Sequence, residues 1–179
     1  MKHLATEMKW LLVILCISCA QACDERGKDD KKVPTQQEVN KGMENINRQF
    51  SRDEQVMIEA YIQRRGWEMS ETGTGLRYMI YEHGTGDSAV NGQRAVVNYS
   101  VSLLDGTEVY SSKQDGSTSF LIGKDNVESG LHEGILLLRI GDRAKFILPS
   151  HLAHGLTGDN DKIPPRSTVL YDIELLELR

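Results

Sequence analysis

From Gly73 to the C-terminus the chain is a run of short β-branched and aromatic stretches cut by glycine, with one stretch of helical spacing, Val127–Ile140, among them. That pattern commits the region to a sheet with a single helix, because side chains repeat every two residues in a strand and every 3.6 in a helix. Leu76, Tyr78 and Ile80 alternate with Arg77, Met79 and Tyr81, which makes Leu76–His83 a strand. Ala95–Leu104, Thr107–Ser112, Ser119–Ile122 and Arg143–Leu148 extend the sheet, with Asp105-Gly106 as a hairpin turn. The last strand, Thr168–Leu178, alternates Val169, Tyr171, Ile173 and Leu175 with Asp172, Glu174 and Glu177. In the helical stretch Leu131, Ile135 and Leu138 share one face, and Gly141 closes it. A helix laid across an antiparallel sheet is an α+β arrangement. Pro149–Ser167 is a long loop carrying His154, Gly155, Gly158 and Pro164-Pro165, and loops of that length in compact domains are usually functional.

The first 23 residues hold all three cysteines, so the sheet region is built without disulfides or a cysteine metal site. Lys2 and Lys9 precede an apolar run, Trp10–Ile17, that is too short to span a bilayer and is followed by small Ser18, Ala20 and Ala22. This is the pattern of a cleaved secretory signal over residues 1–22. Cys19 and Cys23 each sit where the signal resembles that of lipoproteins, in which a small residue precedes the cysteine that becomes the lipidated N-terminus. Cys23 leads into a polar tract, Asp24–Lys32, and is the favoured anchor, with Cys19 as the alternative and cleavage to a soluble periplasmic protein as the third reading. Residues 23–34 then form a polar tether. Thr35-Gln36-Gln37-Glu38 and Ser51-Arg52-Asp53-Glu54 both fit the capping box. Val39, Met43, Ile46 and Phe50 follow the first, Met57, Ala60 and Tyr61 follow the second, and Gly66 stands at a stop position, which predicts a helical hairpin within residues 35–70. Its apolar stripe either docks on the domain of residues 71–179 or pairs with a second copy into a homodimer.

Net charge is −5 over 179 residues, with no clustered basic patch, which argues against a nucleic-acid partner. The Gly73-x-Gly75 pair lacks a third glycine and precedes a strand, so it is no dinucleotide fingerprint. His151-x-x-His154 beside Asp159 and Asp161 is a weak metal pattern, and Ser100, Ser111 and Ser112 lack a nucleophile-elbow setting. The residues alone thus describe an exported α+β domain with no metal, cofactor or covalent catalytic centre expected.

Residues 96–178 resemble the FKBP-type peptidyl-prolyl cis-trans isomerases. The resemblance is carried by Val97-Asn98-Tyr99, Leu104-Asp105-Gly106-Thr107, Ser111-Ser112 and Phe120-Leu121-Ile122-Gly123. It continues through Val127-x-x-Gly130-Leu131-x-x-Gly134-Ile135, Leu138-x-x-Gly141-x-x-Ala144, Leu148-Pro149 and Ala153-x-Gly155, then Gly158, Ile163-Pro164-Pro165 and Leu170–Leu176. It implies an antiparallel sheet wrapped on one short helix, behind a helical N-terminal segment, and rotamase activity without a cofactor. Together with the N-terminal signal, the chain resembles the gliding-motility-associated lipoprotein branch of the family in Bacteroidetes-like bacteria. Implied partners are proline-containing segments of exported proteins and the membrane, through an N-terminal lipid. The implied location is the bacterial cell envelope, facing the periplasm or the cell surface.

By the same resemblance, the pocket is made of Tyr99, Val109, Tyr110, Val127, Glu128, Leu131, His154, Ile163 and Tyr171. Several depart from the family. Val109 and Thr118 stand where phenylalanines are common, Tyr110 replaces an aspartate, and Leu131 stands at the place of a tryptophan floor. Glu128 replaces an aliphatic residue, though its backbone N–H is still expected to meet the substrate carbonyl. His154 replaces a loop tyrosine, and its imidazole N–H is expected to reach substrate in the hydroxyl's stead. Fewer aromatic walls imply slow or selective turnover, or a catalytically silent binding module or chaperone using the same groove.

Overall fold

The computed structural model describes residues 34–179; the expected signal, the cysteines expected to carry a lipid and nearly all of the expected tether lie outside the described residues. Glu44–Arg179 form one compact unit.

Helix α1 (Gln36–Arg65) starts at the first capping box, where Thr35 N donates to Glu38 Oε2 over 2.7 Å and Glu38 N donates back to Thr35 Oγ1 over 3.3 Å. It then runs unbroken to Arg65, so the expected hairpin is a single helix. No proline falls between Thr35 and Gly66, and the second box does not cap. Glu54 turns away from Ser51 and is 2% exposed, accepting from Ser150 N (2.7 Å), Ser150 Oγ (3.1 Å) and Thr168 Oγ1 (2.7 Å). The helix stops at Gly66, whose φ of 63° belongs to the left-handed region that glycine enters without a Cβ penalty. Trp67 N closes that end on Ile62 O.

The boundary expected at residue 70 falls inside a packed region. Ile58, Tyr61 and Ile62 of α1 bury against Ile147 and Leu170, with Trp67, Met69 and Leu104 alongside. The expected stripe is only partly used: Ile46 and Met57 are exposed, whereas Tyr61 is buried. Ile58 and Ile62, one position off the expected face, carry the docking instead.

Seven strands follow: β1 (Ser70–Glu71), β2 (Arg77–Glu82), β3 (Arg94–Leu103), β4 (Glu108–Ser111), β5 (Thr118–Leu121), β6 (Arg143–Leu148) and β7 (Val169–Leu178). They form one antiparallel sheet in the order β1-β2-β6-β7-β3-β4, with β5 also on β3. A one-turn helix α2 (Ser112–Asp115) links β4 to β5. The sheet's inner face carries the core, with Val97, Val101, Phe146, Leu148, Val169, Ile173 and Leu175 all buried.

Helix α3 (Ser129–Ile135) lies on that face and is shorter than the expected Val127–Ile140. The buried Asp142 carboxylate explains the early end: it accepts from Arg139 N (2.9 Å) and Gly84 N (2.7 Å), holding residues 139–142 in a turn. Gly130 and Gly134 let α3 approach the sheet. A Cβ at Gly134 would stand 2.7 Å from the Phe146 ring, and one at Gly130 2.7 Å from Leu148 Cγ. The long loop contains a 3₁₀ turn, Ser150–Leu152. No helix of the described residues is long and apolar enough to cross a membrane.

Candidate active site

Strand periodicity puts Val97, Tyr99 and Val101 of β3 on the α3 side, and the register sets Tyr99 opposite Ile173 and Val101 opposite Tyr171. With Tyr110, Phe120, Val127, Glu128 and Leu131 they line a hollow of about 290 Å³ between sheet and helix. Thr118 and Ser119 form its lip. The floor is Leu131, nearly sealed beneath.

One charge enters this apolar setting. Tyr171 is 6% exposed, and its hydroxyl donates to Glu128 Oε1 over 2.7 Å. His154 Nε2 lies 2.9 Å from the same oxygen. Burial first, and then the Glu128 carboxylate, push the Tyr171 phenol well above its ordinary range, so it stays a donor. Burial also raises Tyr99, with Asp115 adding to it. The Tyr110 hydroxyl donates to Asp159 Oδ2 over 2.5 Å, and that bond, followed by desolvation, raises its pKa. Burial alone would raise Asp159, but the Tyr110 hydroxyl and the N–H groups of Asp161 and Ile163 outweigh it and hold the carboxyl at about 2.

The expected pocket residues divide. Tyr99, Tyr110, Val127, Glu128, Leu131 and Tyr171 line the hollow. Val109 and Ile163 do not: both side chains are buried in the main core, because β4 and the end of the loop turn them inward. His154 lines a neighbouring hollow of about 240 Å³ with Asn126, Val127, Glu128 and Ala153. Its Nε2 lies 2.9 Å from Glu128 Oε1, so that nitrogen has an internal partner, supplied by the side-chain exchange at Glu128. The Glu128 N–H donates to no group among the described residues and remains open to a ligand carbonyl, at the N-terminal end of α3.

Sequence reasoning left out Val97, Val101, Phe120 and Ile173 as lining residues. The alternation that placed them in the core contained the signal, since pocket and core share one face of the sheet. His151 and His154 do not converge, His151 Nε2 meeting Thr74 O at 3.0 Å instead. Among the described residues no group of three or more His, Cys, Asp or Glu side chains is placed to hold a metal ion.

A larger hollow, about 520 Å³, opens on the polar side of the sheet around Asn98, Ser100, Lys113, Arg143, Asp172 and Glu174. Most of its charges are already paired, Asp172 with Lys145 and Arg143 with Glu82 and Glu174. The smaller hollow, with apolar walls and an open N–H, is the better-built site.

Comparison with known proteins points to the same place. The profile described as FKBP-type peptidyl-prolyl cis-trans isomerase matches residues 86–176, which span every residue lining the apolar hollow. Peptidyl-prolyl cis-trans isomerase Fkbp12 of Drosophila melanogaster is 42% identical over 89 residues, covering 49% of this chain and 82% of that protein. FKBP-type peptidyl-prolyl cis-trans isomerase FkpA of Escherichia coli (strain K12) is 35% identical over 122 residues, 68% of this chain. The match spans only 43% of FkpA's own length. The crystal structure of FkpA from Escherichia coli superposes with a TM-score of 0.63 at 28% identity, covering 82% of this chain and 74% of that one. The chain belongs to the FKBP-type peptidyl-prolyl cis-trans isomerase family.

Proposed function

We propose that the protein is a peptidyl-prolyl cis-trans isomerase that assists the folding of exported or envelope proteins. The observation that carries this reading is the hollow walled by Tyr99, Phe120, Val127, Leu131, Tyr171 and Ile173 in a chain of this family. Amide resonance sets a barrier of about 18–20 kcal/mol, so uncatalysed prolyl rotation takes tens to hundreds of seconds. Midway through rotation the amide has lost conjugation and its carbonyl is less polar than in the planar form. A dry apolar wall therefore disfavours the planar ground state relative to the twisted one, which is differential binding. The Glu128 N–H is in position to hold a substrate carbonyl while the ring turns. No nucleophile takes part.

Stopped-flow isomerisation of a proline tetrapeptide tests the proposal. A rate that rises linearly with protein concentration supports it, and a rate equal to buffer refutes it. A second reading, a binding module or chaperone with little turnover, is favoured by the carboxylate at the wall and by Leu131 and Thr118 at aromatic positions. Suppressed aggregation of a client without rate enhancement distinguishes it.

The proposal extends to place. Residues 1–22 act as a lipoprotein signal and Cys23, or Cys19, carries the lipid, which tethers the domain in the bacterial envelope and assigns it to the gliding-motility-associated branch. Loss of palmitate label in Cys23→Ala supports Cys23; retained label transfers the role to Cys19, and absence of label in the parent refutes the anchor. Homodimerisation through residues 35–65 follows from the exposed apolar stripe that includes Ile46, 56% exposed. Sedimentation equilibrium decides it.

A further inference from the structure

Glu128 is the one carboxylate in a hollow otherwise lined by uncharged residues, and only one of its two oxygens is in use. Oε1 receives the Tyr171 hydroxyl and faces His154 Nε2. Oε2 takes no hydrogen bond among the described residues, and it is not a sealed buried atom, since no such unpartnered atom exists among the buried side chains described. It therefore offers free lone pairs to whatever occupies the site. The side chain is 11% exposed, enough for a ligand group to reach and little enough for water to screen weakly.

Glu128 and Val127 also form the partition between two hollows. The larger, about 290 Å³, is the apolar one already described. The smaller, about 240 Å³, is completed by Asn126, Ala153 and His154. Because the two hollows share that wall, a peptide whose proline fills the first has the second within reach of a neighbouring side chain. Val127 and Ala153 suit methylene groups, whereas Glu128 and Asn126 bring oxygen acceptors to the same lining. An apolar stem with a cationic head is the chemistry of lysine and arginine.

Charge around the pair points the same way. Tyr110, on the wall of the larger hollow, donates to Asp159 and Asp161, and His154 acts electrostatically on Asp159. The positive groups facing this region are Lys162, held on Val109 O and over the Tyr110 ring, and His154 itself. Acidic side chains outnumber the fixed basic one.

We propose that Glu128 makes this site selective for prolyl bonds with a lysine or arginine next to the proline, the basic side chain occupying the smaller hollow and its head bound by Glu128 Oε2. This rests on the reading of the apolar hollow as a proline site, and it assigns a specificity-determining role to a residue at which the chain departs from an aliphatic pattern.

The test is exchange NMR on the full chain with Ala-Xaa-Pro-Phe and Ala-Leu-Pro-Xaa peptides, Xaa being lysine, leucine or glutamate. Each sample yields both an affinity and a cis–trans exchange rate. In one of the two series, the lysine peptide is expected to bind about tenfold more tightly than the glutamate peptide and ahead of leucine. The ratio should shrink in 1 M salt and approach unity in Glu128→Gln, which preserves side-chain shape and an acceptor for Tyr171. Equal affinities for lysine and glutamate in both series overturn the proposal, as does a lysine preference that survives salt. Should Glu128→Gln fail to fold, the salt dependence of the parent protein decides alone. Lysine selectivity in binding without rate enhancement upholds the selectivity and refutes the isomerase reading, whereas turnover of all peptides without selectivity does the reverse.

Discussion

Tyr171 and Glu128 stand 43 positions apart and meet through a 2.7 Å hydrogen bond at the edge of the apolar hollow. The bond joins the first part of β7 to the residue that precedes α3, so it ties the pocket wall to the helix that supplies its floor. Losing the hydroxyl leaves a largely buried carboxylate with one partner fewer. Tyr171→Phe is expected to destabilise the protein by about 1.5–3 kcal/mol, the range for a hydrogen bond to a charged acceptor, read by urea denaturation at neutral pH.

The same bond has an alkaline signature. The folded Tyr171 pKa lies above the unfolded value near 10, so the folded state holds its proton more tightly. Its stabilising contribution is complete below pH 10 and is lost as pH rises from there towards the folded pKa. In Tyr171→Phe that part of the alkaline loss disappears. A series of urea midpoints from pH 8 to pH 11 detects it, and identical slopes in the two proteins would disprove the assignment.

Glu54 joins α1 to the start of the long loop and to Thr168, immediately before β7, through three hydrogen bonds inside the protein. Glu54→Ala strands the Ser150 N–H and the Thr168 hydroxyl. The expected loss is about 2–4 kcal/mol, mostly desolvation left uncompensated. Glu54→Gln retains an acceptor and should lose less. Equal melting temperatures for Glu54→Ala and the parent protein would mean the clasp contributes nothing.

Gly134→Ala sets two effects against each other. Alanine gains up to about 1 kcal/mol in helix propensity over glycine. The new methyl would stand 2.7 Å from a fully buried Phe146, and overpacking costs about 1–3 kcal/mol. The steric term wins, so calorimetry should show a lower melting temperature. A rise would place α3 further from β6 than described.

Leu131→Trp fills the floor of the hollow with an aromatic ring. Added apolar contact with the twisted prolyl bond should raise kcat/KM for a leucine-proline peptide by about tenfold, or ~1.4 kcal/mol of transition-state preference. Unchanged or lower activity in a folded variant counts against catalysis by apolar contact at that position.

The alternation of β7 shows how far periodicity reaches. Val169, Tyr171, Ile173 and Leu175 are assigned inward by spacing alone, and all four are buried. Glycine and capping signals are equally local: Thr35 with Glu38 begins α1 and Gly66 ends it. The second capping box misleads for a related reason. A cap competes with other partners for the same carboxylate, and the winning partners of Glu54, Ser150 and Thr168, lie 96 and 114 positions away.

Strand faces, turns, the two outer ends of α1 and family membership were thus legible in the chain itself, because each depends on residues within a few positions or on motifs in order. Which face of α1 docks, why Val109 and Ile163 turn into the core, and how Glu128 comes to hold Tyr171 and face His154 were decided only by tertiary structure. Those outcomes depend on register between distant strands and on loop paths, where a displacement of one residue or a few ångströms changes which polar atoms are buried together and must satisfy one another.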